Sequence, residues 1–417
     1  MERRKERILL CLCHLSGNEQ KFVQEAFDSN WVVPLGPNVD GFEKDLEAYV
    51  GHDKRVVALS TGTAAVHLGL LACGVGPGDE VCVQSFTFCA SSHPITYLGA
   101  TPVFIDSERD TWNMDPELLD MAIKDRISKT GKKPKAIVPV ALYGMPYRVD
   151  RILEIANKYD IPVMEDAAEG FGSKYKGQII GTFGKYGVLS FNGNKMITTS
   201  GGGALITANE DEWRKMMMYA TQYRESYPYY QHEKIGYNYR MSNICAGIGR
   251  GQMTIVDEHI AHHKHVQKLY EKLLKDVPGI TVHSQPATGE YDTNYWLCTM
   301  TISPEVKVKG QENAYKQIIT GAVGGAAGVI HTAESATTDC QPNDNVEAMR
   351  MGLDALNIES RPLWKPMHKQ PVYKNAPAYI NGVSESLFKV GLCLPSGPYV
   401  TDDDVAFIVD AIKELLS

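Results

Sequence analysis

The stretch Ser190-Phe-Asn-Gly-Asn-Lys195-Met-Ile-Thr-Thr-Ser-Gly-Gly-Gly203 places a lysine between an apolar strand and a run of glycines. The residues that lead into it, 186–191, have the apolar character of a buried strand. Because glycine has no side chain, another group can approach the backbone there closely. An amine in this position is suited to form a Schiff base with a carbonyl compound. An ordinary solvated surface lysine is the alternative.

A second segment, Val56 to His67, runs from an apolar strand through Ser60-Thr61-Gly62-Thr63 into a helical apolar pattern. Hydroxyl groups and free backbone N–H groups at a helix N-terminus suit a phosphate. An ordinary helix cap has the same sequence pattern. The segment therefore indicates a phosphate site only in combination with other signals.

Two more segments end strands in residues that can contact a ligand. Ile161 to Glu169 ends in carboxylates, so we expect Asp166 at the carboxyl edge of a sheet, where open α/β sheets bind ligands. A helix N-cap is the alternative role for Asp166. Ser85-Phe-Thr-Phe88 follows the strand-like residues 81–84, and Phe88 either stacks on a flat ring or belongs to the core.

One ligand accounts for all four segments. Pyridoxal phosphate needs a lysine for its aldehyde, a phosphate site, an acid for its pyridine nitrogen and an aromatic face. The sequence therefore predicts a pyridoxal phosphate enzyme, with Lys195 as the Schiff-base lysine and Asp166 as the acid that keeps the ring protonated.

The order of elements predicts an α/β fold. From about residue 55 to 207, apolar strands alternate with helical segments, and this pattern is typical of a mostly parallel sheet with helices on both faces. The strand-like segments are 136–140, 161–164 and 188–191. Helices are expected at 19–28, 149–158 and 257–274.

Motifs beyond these four segments resemble one family, the nucleotide-sugar aminotransferases, which are pyridoxal phosphate enzymes of the aspartate aminotransferase fold. The resemblance covers nearly the whole chain. The further motifs that carry it are Gly36-Pro, Phe42-Glu43, Pro102-Val-Phe-Ile-Asp106, Tyr143-Gly144, Gly236-Tyr-Asn-Tyr-Arg-Met-Ser242, Ser360-Arg-Pro-Leu-Trp-Lys-Pro-Met-His368 and Leu394-Pro-Ser-Gly397.

The resemblance implies a large cofactor-binding domain at 41–275 and a smaller α+β C-terminal domain at 276–417. It implies that residues 1–40 pack on the small domain or on a partner subunit. The Asn-Gly-Asn-Lys and Arg-Pro-Leu-Trp-Lys variants resemble the branch that aminates a UDP-linked 4-keto-6-deoxy-N-acetylhexosamine. The expected product is UDP-4-amino-4,6-dideoxy-N-acetylglucosamine for bacterial glycan synthesis, and the expected amine donor is glutamate.

The resemblance also assigns roles to individual residues. Lys195 carries the cofactor and moves the proton, Asp166 anchors the pyridine nitrogen, and Glu169 contacts the ring hydroxyl. Phe88 covers one ring face. The residues implied around the phosphate are Ser60, Thr61, Gly62, Thr63, Ser190 and, from the other subunit of a homodimer with shared sites, Asn238. Those implied in the sugar-nucleotide pocket are Asn30, Trp31, Arg361, Lys365 and His368.

Composition excludes several other classes of protein. The 417 residues are 43% hydrophobic and 22% charged, with a net charge of −8, which gives no reason to expect nucleic acid or an anionic membrane as partner. No apolar run approaches the length of a membrane span. Residues 1–15 mimic a short signal peptide but lack a cleavage site, so we expect a cytoplasmic protein. Nine scattered cysteines indicate reduced thiols.

Two groups of residues are of metal-binding types. His259, His262, His263 and His265 fall on one expected helix, but zinc would require further ligands, and we expect a solvated helix face. Cys11, Cys13 and His14 lack a second ligand pair, so we expect a structural role. No metal site is predicted.

The glycine-rich stretch from Gly321 to Asn345 departs from the family pattern, and we expect an irregular segment of the small domain rather than a dinucleotide site. Three alternative functions remain. A dehydratase on the same fold typically has histidine in place of the lysine, so Lys195 argues against it. A non-catalytic regulator would not need lysine, acid and phosphate cup together. An aminotransferase for amino acids or for a dTDP- or GDP-linked keto-sugar is separated only by assay.

Overall fold

The computed structural model describes residues 1–51, 53–315 and 340–416. The α-helices are α1 (Glu19–Asp28), α2 (Pro37–Val50), α3 (Gly62–Ala72), α4 (His93–Tyr97), α5 (Pro116–Thr130), α6 (Val149–Tyr159), α7 (Glu210–Ala220), α8 (Asn243–Met253), α9 (Val256–Leu274), α10 (Asp344–Ala355), α11 (Val383–Val390) and α12 (Asp402–Leu415). The strands are β1 (Arg55–Leu59), β2 (Glu80–Gln84), β3 (Thr101–Ile105), β4 (Ala136–Val138), β5 (Met164–Asp166), β6 (Lys174–Tyr175), β7 (Gln178–Ile179), β8 (Tyr186–Ser190), β9 (Gly203–Thr207), β10 (Ile280–Val282), β11 (Tyr291–Asp292), β12 (Cys298–Ile302), β13 (Arg361–Pro362), β14 (Ala378–Tyr379) and β15 (Gly391–Leu394).

The central sheet is mostly parallel, as predicted. Its two halves have the strand orders β14-β3-β2-β4 and β5-β8-β9-β1. Parallel bridges from Ile137 to Val163 and from Val140 to Asp166 join β4 to β5. Only β9 runs antiparallel to its neighbours among these strands. This is the architecture of the aspartate aminotransferase-like fold.

The central strands are apolar on both faces because helices cover both. In β1, Val56 and Ala58 belong to one buried cluster, whereas Val57 and Leu59 belong to another. This alternation follows from the two-residue period of a strand. A sheet buried on both sides leaves its carboxyl edge as the place where polar side chains gather.

A second core lies around an antiparallel sheet near the C-terminus. This sheet has the strand order β10-β12-β15-β13, and helices α9, α10 and α12 pack on it around a third buried cluster. Ile8 joins this cluster, and its N–H group donates to Asn357 O at 3.0 Å. The domain boundaries at residues 40 and 275 stay predictions.

The predicted helices are close to the observed ones. The expected helix at 19–28 has the same bounds as α1, and the other two correspond to α6 and α9. The strand expected at 161–164 instead begins at Met164 and ends at Asp166, which brings the carboxylate to the strand end. Most of the glycine-rich stretch, including 321–328, lies outside the described residues.

The expectation of a solvated histidine face on α9 is wrong for two of its four residues. His259 and His263 are 4% and 0% exposed, and each ring bonds a backbone carbonyl, of Met196 at 3.2 Å and of Tyr295 at 3.1 Å. Burial lowers the pKa of His263 to about 3. A neutral imidazole with a carbonyl partner tolerates burial, which a charge-based interpretation of the sequence overlooks.

Within the described ranges, no group of three or more His, Cys, Asp or Glu side chains is arranged to hold a metal ion. Of the helices in residues 1–51, 53–315 and 340–416, none combines the length and apolar character that crossing a bilayer requires.

Candidate active site

Lys195 lies in a tight turn just beyond the end of β8. Its N–H group donates to Asn192 O at 2.9 Å, which folds the chain back after the strand. The side chain is 13% exposed, and Nζ lies 3.4 Å from Glu169 Oε1 and 3.9 Å from the centre of the Trp296 ring. The amine thus has an anion on one side and an aromatic face on another, and both attract a cation.

Glu169 is the buried counter-charge of Lys195. Its second oxygen, Oε2, accepts the N–H group of Tyr143 at 2.7 Å. Burial raises the pKa of Glu169, and the Lys195 charge partly offsets that effect. Tyr143 holds a left-handed backbone with a φ of 53°, which is unfavourable for a bulky residue. The hydrogen bond to Glu169 helps to hold that conformation.

Asp166 ends β5 and is 5% exposed. Its Oδ1 accepts the N–H group of Ala168 at 3.1 Å, and its Oδ2 accepts the hydroxyl of Ser91 at 2.6 Å. Burial raises the pKa of Asp166, and the Ser91 bond acts in the opposite direction. A buried carboxylate with hydrogen bonds to neutral groups is suited to receive a cationic ligand atom.

The N-terminus of α3 forms another wall of the site. Thr61 is its cap, and Thr61 Oγ1 accepts the N–H group of Ala64 at 2.9 Å. The N–H groups of Gly62 and Thr63 belong to the first helical turn, which has no acceptors within the helix. They and the helix dipole favour an anion at this end of the cavity.

Gly203 allows this helix terminus to approach the strands. A Cβ atom at Gly203 would lie 2.4 Å from Gly62 N and 2.5 Å from the carbonyl carbon of Thr61. Any side chain at residue 203 would push the N-terminus of α3, with its free N–H groups, away from β9. Gly203, the last glycine of the run after Lys195, thus serves the packing of α3 against β9.

Aromatic side chains form a further wall. The Phe88 ring lies 5.4 Å from that of Trp364, and Phe88 is 49% exposed. Trp364 in turn lies 6.1 Å from Tyr143 at an interplanar angle of 22°, and its backbone N–H donates to Tyr143 Oη at 2.8 Å. A flat ligand therefore has an exposed aromatic ring beside it.

These elements enclose one cavity of about 280 Å³. Its lining combines an amine, two buried carboxylates, a helix N-terminus and three aromatic side chains. Eight of the residues predicted from the sequence line it: Thr61, Gly62, Thr63, Phe88, Asp166, Glu169, Ser190 and Lys195.

Comparison with known proteins agrees with this geometry. The sequence matches the DegT/DnrJ/EryC1/StrS aminotransferase family over residues 14–323 and 313–413. The chain belongs to this family. It is therefore an enzyme, a pyridoxal phosphate-dependent sugar aminotransferase, which confirms the predicted enzyme class and cofactor.

Similar proteins match over almost their full length. A Bacillus subtilis protein named as a pyridoxal phosphate-dependent aminotransferase, EpsN, is 40% identical over 414 residues, 98% of this chain and 96% of that protein. GDP-perosamine synthase of Escherichia coli O157:H7 is 34% identical over 403 residues, 97% of each chain. The crystal structure of a family aminotransferase from Brucella abortus superposes with a TM-score of 0.81 at 27% identity, covering 96% of both chains.

The residues of the aminotransferase cavity fit pyridoxal phosphate. Lys195 is the amine that would hold its aldehyde, and the N-terminus of α3 with Ser190 would hold its phosphate. Asp166 would pair with its pyridine nitrogen. The fit rests on charge, since the N-terminus of α3 favours an anion and Asp166 favours a cation.

Seven other predicted residues do not line this cavity of the single chain. Ser60 is exposed, and its N–H group donates to Tyr239 O at 2.8 Å. Arg361 pairs with Glu359 at 3.0 Å, and His368 Nδ1 contacts Ser85 Oγ at 2.7 Å. The remaining four are Asn30, Trp31, Asn238 and Lys365.

Sequence reasoning missed three residues of the aminotransferase site. Trp296 lies beneath the Lys195 amine and donates its Nε1–H group to Asn194 O at 2.6 Å. Ser91 and Thr87 form a chain of hydroxyls that ends on Asp166. Thr87 lies one position before Phe88 and Ser91 lies three positions after it, and these two hydroxyl residues are the only local sequence signal.

Proposed function

We propose that this aminotransferase transfers the amino group of glutamate to carbon 4 of a UDP-linked 4-keto-6-deoxy-N-acetylhexosamine. The product would be UDP-4-amino-4,6-dideoxy-N-acetylglucosamine. The observation that carries the reaction type is the Lys195 amine, held 3.4 Å from Glu169 in the same cavity as Asp166. The sugar assignment rests on the resemblance of residues 360–368 to that branch.

In the proposed reaction, Lys195 is the group that takes a proton from the donor carbon and returns it on the acceptor. When bound, the cofactor supplies an electron-accepting ring that stabilises the carbon left by proton removal. Trp296 limits where the amine can move, because its ring lies 3.9 Å from Nζ. Glu169 compensates the positive charge whenever the amine is free and protonated.

The remaining cofactor contacts follow from the cavity walls. Thr61, Gly62, Thr63 and Ser190 would bind the phosphate, with Ser60 at the margin. Phe88 would cover one face of the ring, since its exposed side chain borders the cavity. Asp166 would hold the proton on the pyridine nitrogen.

We propose a homodimer in which Asn238 completes the phosphate site of the partner. Asn238 is exposed and lies outside the cavity of its own chain, which supports a role in a second subunit. Exposed aromatic side chains precede it in the sequence, with Tyr227, Tyr229 and Tyr230 at 49%, 61% and 75% exposure. Such side chains favour burial against another surface.

Arg361, Lys365 and His368 of one chain, together with Asn30 and Trp31, would bind the nucleotide sugar. A nucleotide diphosphate carries negative charges that an arginine fork meets in bidentate fashion. Arg361 is 40% exposed on its side chain and held by Glu359, so it presents an oriented cation.

A GDP-linked keto-sugar is the second candidate. GDP-perosamine synthase of Escherichia coli O157:H7 matches 97% of this chain at 34% identity, and its name specifies a GDP sugar. The amine-transfer chemistry would be the same, and only the nucleotide contacts would differ.

The test is amine transfer from glutamate to a panel of UDP-, GDP- and dTDP-linked 4-keto sugars, with products identified by NMR. We expect turnover with the UDP sugar to exceed that with the others. Preferential turnover of the GDP sugar would show that the nucleotide is GDP rather than UDP, and the proposed amine transfer would still hold. No amine transfer to any sugar, with transfer to a keto acid, would contradict the sugar acceptor.

A further inference from the structure

A chain of two hydroxyl groups ends on Asp166. Ser91 Oγ lies 2.6 Å from Asp166 Oδ2, and Thr87 Oγ1 lies 2.8 Å from Ser91 Oγ. Ser91 and Thr87 are 1% and 2% exposed. Ser91 has one hydroxyl proton and gives it to the carboxylate, so the bond between the hydroxyls runs from Thr87 to Ser91. Both donors therefore point towards Asp166.

A single helical turn sets this alignment. Ser91 ends a short 3₁₀ helix that begins after Phe88, and its N–H group donates to Phe88 O at 3.2 Å. Thr87 stands four positions before Ser91, on the side that faces the cavity. The backbone of residues 87–91 thus places the two hydroxyls side by side.

Aligned hydrogen bonds polarise one another, and both bonds favour the ionised carboxylate. Burial acts against ionisation of Asp166 because it removes water from the carboxylate, and the hydrogen-bond donors to it within the described residues are the neutral Ser91 hydroxyl and Ala168 N–H. The two hydroxyls therefore decide how strongly the carboxylate competes for a proton shared with a bound ligand.

We propose that Ser91 and Thr87 are positioning residues that keep the shared proton on the pyridine nitrogen rather than on Asp166. This inference rests on the proposed function, in which Asp166 faces that nitrogen. A carboxylate stabilised by two aligned donors is a weaker base, so the proton stays on the ring. A protonated ring draws electrons from the reacting carbon more strongly, and proton removal by Lys195 is then faster.

The experiment compares four variants in the full-length enzyme loaded with cofactor ¹⁵N-labelled at the pyridine nitrogen. They are Ser91→Ala, Thr87→Val, the double variant and Ser92→Ala. Ser92 is a matched control, because it is also fully buried but its hydroxyl donates to Cys89 O at 3.2 Å instead. The readouts are the ¹⁵N chemical shift as a function of pH and the single-turnover rate with glutamate.

We expect Ser91→Ala to move the ¹⁵N shift towards the unprotonated value and to slow turnover about 10- to 150-fold, the range for a lost bond to a charged group. Thr87→Val should act in the same direction by about 5-fold, the range for a neutral hydrogen bond. Because Thr87 acts only through Ser91, the double variant should match Ser91→Ala. Ser92→Ala should match the wild type.

A wild-type ¹⁵N shift in Ser91→Ala would overturn the proposal, even if turnover were slow. A double variant more affected than Ser91→Ala would also overturn it, since Thr87 would then act on its own. The NMR readout needs only cofactor binding. A wild-type enzyme that binds cofactor but aminates no sugar would therefore contradict the proposed substrate and leave this test intact.

Discussion

Replacing Asp166 with asparagine should separate the charge of this residue from its structural role. The two side chains have the same shape. Asparagine can keep its oxygen on the Ala168 N–H group, which lies 3.1 Å from Asp166 Oδ1. Its amide nitrogen then donates to Ser91 Oγ, and Ser91 turns its own hydroxyl proton towards Thr87. All three contacts keep one donor and one acceptor, and the Thr87 hydroxyl proton loses Ser91 as its acceptor, so the main change is the loss of a buried negative charge.

The loss of that charge should slow amine transfer strongly. A hydrogen bond to a charged group is worth about 1.5–3 kcal/mol, which corresponds to about a 10- to 150-fold lower rate. The effect belongs to the chemical step, because the neutral amide no longer stabilises a protonated ring. We expect single-turnover rates with saturating glutamate to fall within this range.

The same replacement should stabilise the cofactor-free protein. Burial raises the pKa of Asp166 above its value in the unfolded chain. Below the unfolded pKa of about 3.9, Asp166 is protonated in both states and burial costs no stability through its charge. As the pH rises from there through the folded pKa, the wild-type protein loses stability. Asp166→Asn stays neutral throughout. Its advantage over wild type should therefore be close to zero near pH 4 and grow towards neutral pH, by about 1.4 kcal/mol for each unit of raised pKa.

Urea unfolding of both cofactor-free proteins between pH 4 and 8, combined with single-turnover kinetics, measures both effects. Slower turnover together with higher stability at neutral pH is the expected pair of results. A variant that is less stable at pH 8 than at pH 5, relative to wild type, would refute the reasoning from burial. An unchanged rate would refute the catalytic role of the charge.

Four further predictions follow from particular contacts. Lys195→Ala should stay folded but lose amine transfer and the cofactor absorbance that depends on the Schiff base. Lys185→Ala, which removes a half-exposed lysine paired with Glu212, should keep both. Near wild-type turnover in Lys195→Ala would contradict the assignment. Asn238→Ala should lower cofactor retention, and mixing it with Lys195→Ala protomers should restore some activity, because one site per heterodimer then has both groups; a fully active monomer by sedimentation would exclude this. Arg361→Ala should raise the KM for the nucleotide sugar far more than the KM for glutamate, while Arg350→Ala, which breaks a similar arginine–glutamate pair on α10, should change neither; equal effects on both substrates would place Arg361 at the donor. His283 stacks 3.7 Å from Trp112, and burial lowers its pKa to about 3. The wild type should therefore lose about 1.4 kcal/mol of stability per pH unit as the pH falls from about 6.5 towards the folded pKa. His283→Phe should remove this loss, which urea unfolding measures.

The residues that sequence predicted best are those at the ends of strands. Asp166 and Lys195 follow apolar runs, and Thr61 precedes a helical pattern, so local sequence defines their place in the fold. The carboxyl edge of a parallel sheet then brings them together without further information. Their shared cavity is a consequence of topology.

The residues that sequence missed reach the site through tertiary packing. Trp296 comes from the chain just before β12, and a buried hub, Asn294, holds that chain against the large sheet. The Asn294 side chain donates to Glu169 O at 3.0 Å and to Phe171 O at 2.9 Å, and accepts the Trp296 N–H group at 2.8 Å. Nothing local to residues 294–296 indicates that they approach Lys195.

The α9 histidines show the opposite failure. Residue type predicted solvent exposure for His259 and His263, yet the helix turns both towards backbone carbonyls in the core. Histidine is charged or neutral depending on its surroundings, so its burial cannot be inferred from type alone. A periodicity analysis that treats histidine as neutral would place both on the buried face.

The cavity has an electrostatic polarity that favours one orientation of its cofactor. At one end, the N-terminus of α3 and the Thr61 hydroxyl favour an anion. At the other, Asp166 is a buried carboxylate bonded only to neutral donors in the described structure, and it favours a cation. Pyridoxal phosphate carries its phosphate and its basic nitrogen on different parts of one ring, so a bound cofactor would satisfy both ends with its phosphate at α3 and its nitrogen at Asp166. Lys195 lines the same cavity and would hold the aldehyde. The charge that makes Asp166 costly in the empty protein is therefore the charge that aligns the ligand, and cofactor binding should recover the lost stability.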